Sequence, residues 1–135
     1  IVFDIHDNEY VLLTGYYANE MSVEPNSCSL PDINADAMDP DGFIVKLNAN
    51  GGDAQWATWL GGDNDDEPTA IALEPDSHAV LVTGAFLSNT IYFGDEDVQL
   101  SISSEDYEDT FVTKVSDAGA FEWALRLGGE KSDLA

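Results

Sequence analysis

The acidic residues are the part of this sequence best suited to bind a ligand such as a cation. Within ten positions the chain places five oxygen-bearing side chains: Asp32, Asn34, Asp36, Asp39 and Asp41. Calcium takes six to eight oxygen ligands, and alternating positions in a loop can aim several of them at one ion. The segment opens like an EF-hand loop but lacks the glycine and the distal glutamate of that motif. We therefore predict a calcium site of another kind, with a solvated acidic loop as the alternative.

A second acidic group follows a Gly-Gly pair and gives a weaker prediction of calcium binding: Asp63, Asp65, Asp66 and Glu67. Both groups belong to a chain with 27 Asp and Glu against four Lys and Arg, and a net charge of -23. A salt-rich habitat, bound divalent cations and solubility at high local density all fit this charge, and composition does not rank them. Such a surface repels nucleic acid and anionic membranes, so neither is an expected partner.

No constellation in the sequence predicts an enzyme. His6 and His78 lie in separate strand connections, and neither belongs to a pattern with a paired nucleophile. Cys28 is the single cysteine, interpreted as a small apolar residue, with a disulfide between chains as the alternative. Trp59 is the candidate for a carbohydrate contact if its ring is exposed. We expect a non-enzymatic protein.

The elements that must position these side chains follow from an internal repeat. Three segments return in the same order: VLLTG at 11–15 as VLVTG at 80–84, GFIVKL at 42–47 as TFVTKV at 110–115, and QWATWLGG at 55–62 as EWALRLGG at 122–129. Single residues are lost only between the segments, as connections tolerate and strands do not. We predict two units, residues 1–70 with an insert at 16–41 and residues 71–135 with an insert at 87–109.

Each unit is predicted to be an antiparallel sheet of four strands. In the second unit the strands are expected at 70–74, 79–86, 110–116 and 121–127. Val, Ile, Phe, Thr and Trp dominate these segments, and turn residues separate them. The insert of the second unit is expected to add a hairpin around Gly94-Asp95. No apolar run reaches the roughly 18 residues of a membrane helix, so no membrane insertion is expected.

The repeat also predicts how the two sheets meet. We expect them to pack face to face, with Val82 and Val112 directed to the core and Trp123 between the sheets. Lys46 and Lys114 recur at one position, and each is expected to pair with a carboxylate of a neighbouring strand.

The repeated segments form an ordered motif of glycines, apolar strands and one recurring tryptophan per unit. It reads Gly61-Gly62-Asp63-Asn64-Asp65-Asp66, Val82-Thr83-Gly84, Phe111 to Lys114, Trp123-Ala124 and Gly128-Gly129. The first unit supplies Thr14-Gly15, Phe43 to Lys46, Trp56-Ala57 and Gly61-Gly62. This order resembles the bacterial seven-bladed β-propeller repeat, often called the SBBP repeat. It departs at Glu9-Tyr10 and His78-Ala79, where the family places Gly-Asn.

The resemblance implies two tandem β-propeller-type blades, a secreted or cell-surface location, and scaffold or adhesive duties without shared catalytic residues. A blade buries its faces only against other blades, and two blades cannot close a ring. Neither unit carries the polar cap that terminal repeats usually have. We therefore expect contacts with other copies or further repeats of the same protein, in a filament rather than a ring. The alternative is a module that binds a glycan or a protein through its loops.

Overall fold

The chain is all-β in the computed structural model, which describes residues 2–3, 10–23, 28–30, 39–94, 101–103 and 107–133. Its strands in chain order are β1 (Val2–Phe3), β2 (Tyr10–Tyr17), β3 (Met21–Val23), β4 (Cys28–Leu30), β5 (Asp41–Asn48), β6 (Ala54–Gly61), β7 (Asp66–Leu73), β8 (Val80–Phe86), β9 (Thr90–Phe93), β10 (Ser101–Ser103), β11 (Asp109–Val115) and β12 (Phe121–Leu127). In these ranges, no helix is long and apolar enough to cross a membrane.

Each unit forms an antiparallel four-stranded sheet, as predicted. The first sheet contains the order β1-β2-β5-β6, and the second sheet has the order β12-β11-β8-β7. The first strand of the second sheet begins at Asp66 and therefore extends across the unit boundary expected after residue 70.

The hairpin predicted in the second insert is present, and it joins the sheet of the other unit. Strand β9 pairs with β10 and also with the end of β6, where Leu60 faces Phe93 and Gly61 faces Tyr92. The first sheet therefore has six strands, two of which come from the second unit. The insert of the first unit contains a separate two-stranded sheet of β3 and β4.

The two sheets repeat in register and in side-chain detail. Thr14 lies opposite Ile44, and Thr83 lies opposite Val112 at the matching place. Each threonine hydroxyl donates a hydrogen bond of 2.8 Å to a carbonyl of the adjacent strand. These matched contacts confirm that the segments recognised in the sequence are structural counterparts.

The main core lies between the two sheets. It is formed by buried side chains of both sheets and of the inserted hairpin: Leu12, Ile44, Leu60, Val80, Val82, Phe86, Ile91, Phe93, Phe111 and Val115. Phe93 of the hairpin meets the rings of Phe111 and Phe121 edge-on, with centroids 5.8 and 5.4 Å apart. The hairpin thus contributes side chains to the joint between the units.

The expected orientation of the second sheet is correct for Val82 and wrong for Val112 and Trp123. Val82 is buried in the core and lies opposite Thr113. Val112 follows Phe111 along β11, so the pleat turns its side chain to the other face. Trp123 lies opposite Lys114 on that same outer face. Both residues are half-buried there, and neither lies between the sheets.

Candidate interaction surface

The outer face of the second sheet is apolar and is covered by no described part of the chain. Here β7, β8, β11 and β12 contribute alternate side chains, among them Ala70, Ala72, Leu81, Thr83, Val112, Leu125 and Leu127. A shallow groove of about 310 Å³ crosses this face, and its lining is almost entirely apolar. Leu125 and Leu127 are 57% and 52% exposed. We call this surface the open face.

The matching face of the first sheet is covered at its centre. Leu12, Ile44 and Leu60 are the repeat counterparts of Leu81, Val112 and Leu127, and they are 1%, 0% and 0% exposed. The second sheet covers them with the opposite face of its own strands. The same side chains are therefore core in one unit and surface in the other, because only the first unit has a neighbour on that side.

Trp56 fixes the joint between the two units. Its indole packs against Gly119, where a Cβ would come within 2.8 Å of the ring, and its Nε1 donates a 2.9 Å hydrogen bond to the carbonyl of Asp117. Gly119 has a φ of +86°, a conformation that glycine adopts without strain. The Lys46 ammonium donates to the Asp117 carboxylate at the same turn. An aromatic anchor and an ion pair thus join the sheets.

The counterparts of these anchors lie on the open face. Trp123 corresponds to Trp56, and Lys114 corresponds to Lys46. Lys114 pairs within its own unit, with Nζ 3.0 Å from Glu74 and 3.6 Å from Glu122. Hydrogen bonds from Ser77 and then from Lys114 lower the pKa of Glu74, and the bond to Glu74 raises the pKa of Lys114. The predicted pairing with a carboxylate of a neighbouring strand is confirmed for Lys114, through Glu122 of β12. It is wrong for Lys46, whose partner Asp117 lies in the β11–β12 turn of the other unit.

A buried carboxyl lies where the two units join. Asp66 is inaccessible to solvent, and its Oδ2 accepts a 2.7 Å hydrogen bond from the Ser88 hydroxyl. Burial raises its pKa to about 7, with a further contribution from the charge of Asp41 and opposition from the Ser88 hydrogen bonds. A group without accessible surface cannot contact a substrate. The perturbed pKa therefore reflects packing at this junction.

The predicted calcium ligands fall in different environments. Asp32, Asn34 and Asp36 lie outside the described residues. Asp39 is half-buried, and Asp41 is buried at the start of β5. Over the ranges the structure describes, no group of three or more His, Cys, Asp or Glu side chains is arranged to hold a metal ion. Calcium binding by the 32–41 segment stays a prediction.

The second acidic group diverges instead of converging. Asp63 accepts hydrogen bonds from the backbone and side-chain nitrogens of Asn89, at 3.0 and 3.1 Å, while Asp66 points into the interior. Asp65 and Glu67 are half-buried on either side of it. Asp63 and Asp66 therefore order the connection to the inserted hairpin, through Asn89 and Ser88.

Trp59 is not an exposed carbohydrate contact. It is buried in a small cluster with Tyr17, against which Met21 and Phe43 pack. His6 and the side chain of Cys28 lie outside what the structure describes. Uncovered outer faces were expected from the sequence, because a blade buries its faces only against other blades. The residues of the open face were missed, because they match the buried ones of the first unit.

Comparison of the chain with protein-family models, curated proteins and solved structures found no match.

Proposed function

We propose that this chain is a non-enzymatic structural repeat module of an extracellular or cell-surface assembly, built by packing of blade-like sheets of the same protein. The open face is the observation that carries the proposal. Its counterpart in the first sheet is covered by a sheet of the same kind. A surface of matching side chains favours the same type of cover, supplied by another copy or a further repeat.

The energetics are consistent with reversible association. Full burial of a Leu side chain contributes about 1.5–3 kcal/mol, so covering the half-exposed Leu125 and Leu127 contributes roughly 1 kcal/mol each. Association must also overcome the entropy of joining two bodies and the repulsion between chains of net charge -23. Salt screens this repulsion, and calcium bound to the 32–41 segment would reduce it further. Assembly is therefore expected to strengthen with salt.

Serine substitution of the two exposed leucines tests the proposal. We expect the 14.6 kDa chain to sediment as larger species at high concentration in molar sodium chloride. The double variant Leu125→Ser/Leu127→Ser should sediment as a monomer there and melt within a few degrees of the parent, because both side chains are exposed in the isolated chain.

Tyr16→Ser is the matched control. Tyr16 is also 57% exposed, but it lies on the first sheet, on the same side of β2 as Leu12. This variant should assemble like the parent. A parent chain that stays monomeric at every salt concentration would contradict the proposal, as would a leucine variant that assembles unchanged.

A further inference from the structure

The two inserted hairpins are repeat counterparts in different surroundings. Strand β3 begins four residues after the end of β2, as β9 does after the end of β8. The burial alternation sets the register, and it aligns Met21 with Ile91 and Val23 with Phe93, one residue further along β9 than the spacing alone. Ile91 and Phe93 are buried with Tyr92 exposed between them, and Met21 and Val23 are half-buried with Ser22 exposed between them. The second strands also match, because β4 lies beside β6 as β10 lies beside β12.

The hairpin of the second unit is bound at the edge of the neighbouring sheet. Phe93 lies opposite Leu60 of β6, and the Gly94 amide donates a 2.8 Å hydrogen bond to the Trp59 carbonyl. This bond lies just beyond the Leu60 and Phe93 positions, so the two residues form a non-hydrogen-bonded pair with close side chains. Strand addition and apolar packing thus act together at this joint.

The first unit has the hairpin but no neighbouring edge to bind. Strands β3 and β4 form a sheet of their own among the described residues. The edge that corresponds to β6 is β12, which pairs only with β11 in the described part of the chain. Strand β12 also borders the open face. Within the described residues, the hairpin of the first unit therefore pairs with no other strand, and the edge strand β12 of the second unit has one partner.

We propose that a second copy of this chain occupies the open face by adding its β3–β4 hairpin to the β12 edge. Val23 of the incoming copy then lies opposite Leu127, as Phe93 lies opposite Leu60 within one chain. Met21 fits this arrangement, since it already packs on Tyr17 and Trp59 as the hairpin of the second unit packs on its own sheet. The contact is head-to-tail, so it repeats along a row of copies. This inference rests on the proposed function and names its partner and register.

The joint between copies differs from the internal joint at one turn. Gly52 has a φ of +76° and open space at its Cβ position, and it corresponds to Gly119. Trp123 of one copy can therefore pack on Gly52 of the next, as Trp56 packs on Gly119. Between Asn48 and Gly52 this turn has Ala49, Asn50 and Gly51, and none is acidic, so the ion pair of Lys46 with Asp117 has no counterpart there. Lys114 is already paired with Glu74 and Glu122.

Disulfide trapping between two variants tests the register. Val23 faces Cys28 within the hairpin, so both variants carry Cys28→Ser to prevent a local disulfide, with Cys28→Ala as a second background. One variant adds Val23→Cys and the other adds Leu127→Cys. Paired Cα atoms about 4.5 Å apart lie within the range a disulfide spans. Oxidation of an equal mixture in molar salt should give mainly the mixed dimer.

The control carries Leu125→Cys in place of Leu127→Cys. Leu125 is exposed on the same strand and face, but it lies two residues from the position proposed to pair with Val23. The yield of mixed dimer from this control should be at least several-fold lower. Equal yields at both positions, or a predominance of Leu127→Cys homodimers, overturn the inference. Absence of mixed dimer in samples that assemble by sedimentation overturns the inference and leaves the proposed function intact. Samples that fail to assemble before cysteines are introduced overturn both.

Discussion

In the two repeated Gly-Gly pairs, 61–62 and 128–129, the first glycine is required by a buried carboxylate. A Cβ at Gly61 would overlap the side chain of Asp41, and a Cβ at Gly128 would overlap that of Asp109. The two aspartates are repeat counterparts at the start of β5 and β11. Arg126 Nε donates a 2.6 Å hydrogen bond to Asp109, whereas Trp59 stands at the matching place of the first unit. The repeat thus keeps the carboxylate and its glycine but changes what lies beside them.

Burial of the Asp66 carboxyl makes the folded chain less stable as the pH rises. A carboxylate in a surface ion pair has the opposite effect. Its pKa is about 7 in the folded chain against 3.8 as the unperturbed value. The folded state therefore binds a proton that the unfolded state has released, so stability from this group is complete below about pH 4 and declines toward and through pH 7. Asp66→Asn removes this decline. Between about pH 4 and pH 8, the unfolding free energy of the variant should rise relative to the parent by roughly 3–4 kcal/mol.

Denaturant unfolding across this pH range measures the difference. Asp76→Asn is the control, because it removes the same charge from an exposed turn residue. Each variant replaces one carboxyl with an amide of the same size, so the two differ in the burial of the group that is replaced. A variant at Asp66 with the same pH profile as the control would show that total charge, and not the buried carboxyl, sets the dependence.

The strands of the two units are alike in sequence. Matching residues nevertheless contribute differently to stability, because only the first unit is covered by a neighbour on that face. Trp56 packs into the joint and donates a hydrogen bond there, while Trp123 stands on the open face. Trp56→Ala should lower the unfolding free energy by about 3 kcal/mol, through lost burial and the lost hydrogen bond. Trp123→Ala should lower it by about 1 kcal/mol in the isolated chain, because less burial is lost.

The two tryptophan variants serve as controls for each other, since the residue type and strand position match. The comparison is made by denaturant unfolding in dilute, low-salt solution, where repulsion disfavours assembly. Equal losses in the two variants would mean that the units are packed alike and that the outer face is not open.

The strands, their antiparallel order and the inserted hairpin could be predicted from the sequence, because alternation, turns and an internal repeat are local signals. The side of the sheet to which Val112 and Trp123 point could not be predicted. Both units carry similar residues at these places, Ile44 and Trp56 in the first unit, and only the presence of a neighbouring unit decides which face is covered. The pairing of the inserted hairpin with the edge strand β6 could not be predicted either, since it depends on a strand that is distant in the sequence. The acidic clusters suggested ligands, yet Asp63 and Asp66 serve separate structural contacts.

The whole molecule combines a repeated packing unit with a strongly acidic exterior. Within the part of the chain that the structure describes, three of the four basic side chains form ion pairs: Lys46, Lys114 and Arg126. Little positive charge is left to balance the surface. The apolar open face therefore favours association while the charge opposes it, and salt concentration is expected to shift the balance between single chains and assemblies.

Backbone hydrogen exchange of the unmodified chain tests most directly whether the open face is the assembling surface. In molar salt, raising the concentration until larger species sediment should slow exchange at β12, most of all around Leu125–Leu127, because a covered edge and face exclude water. Exchange at the central strand β5 should not change, since Ile44 is already buried on the covered face. Assembly with unaltered exchange across β12, or with protection confined to the exposed side of β9, would contradict the proposed packing.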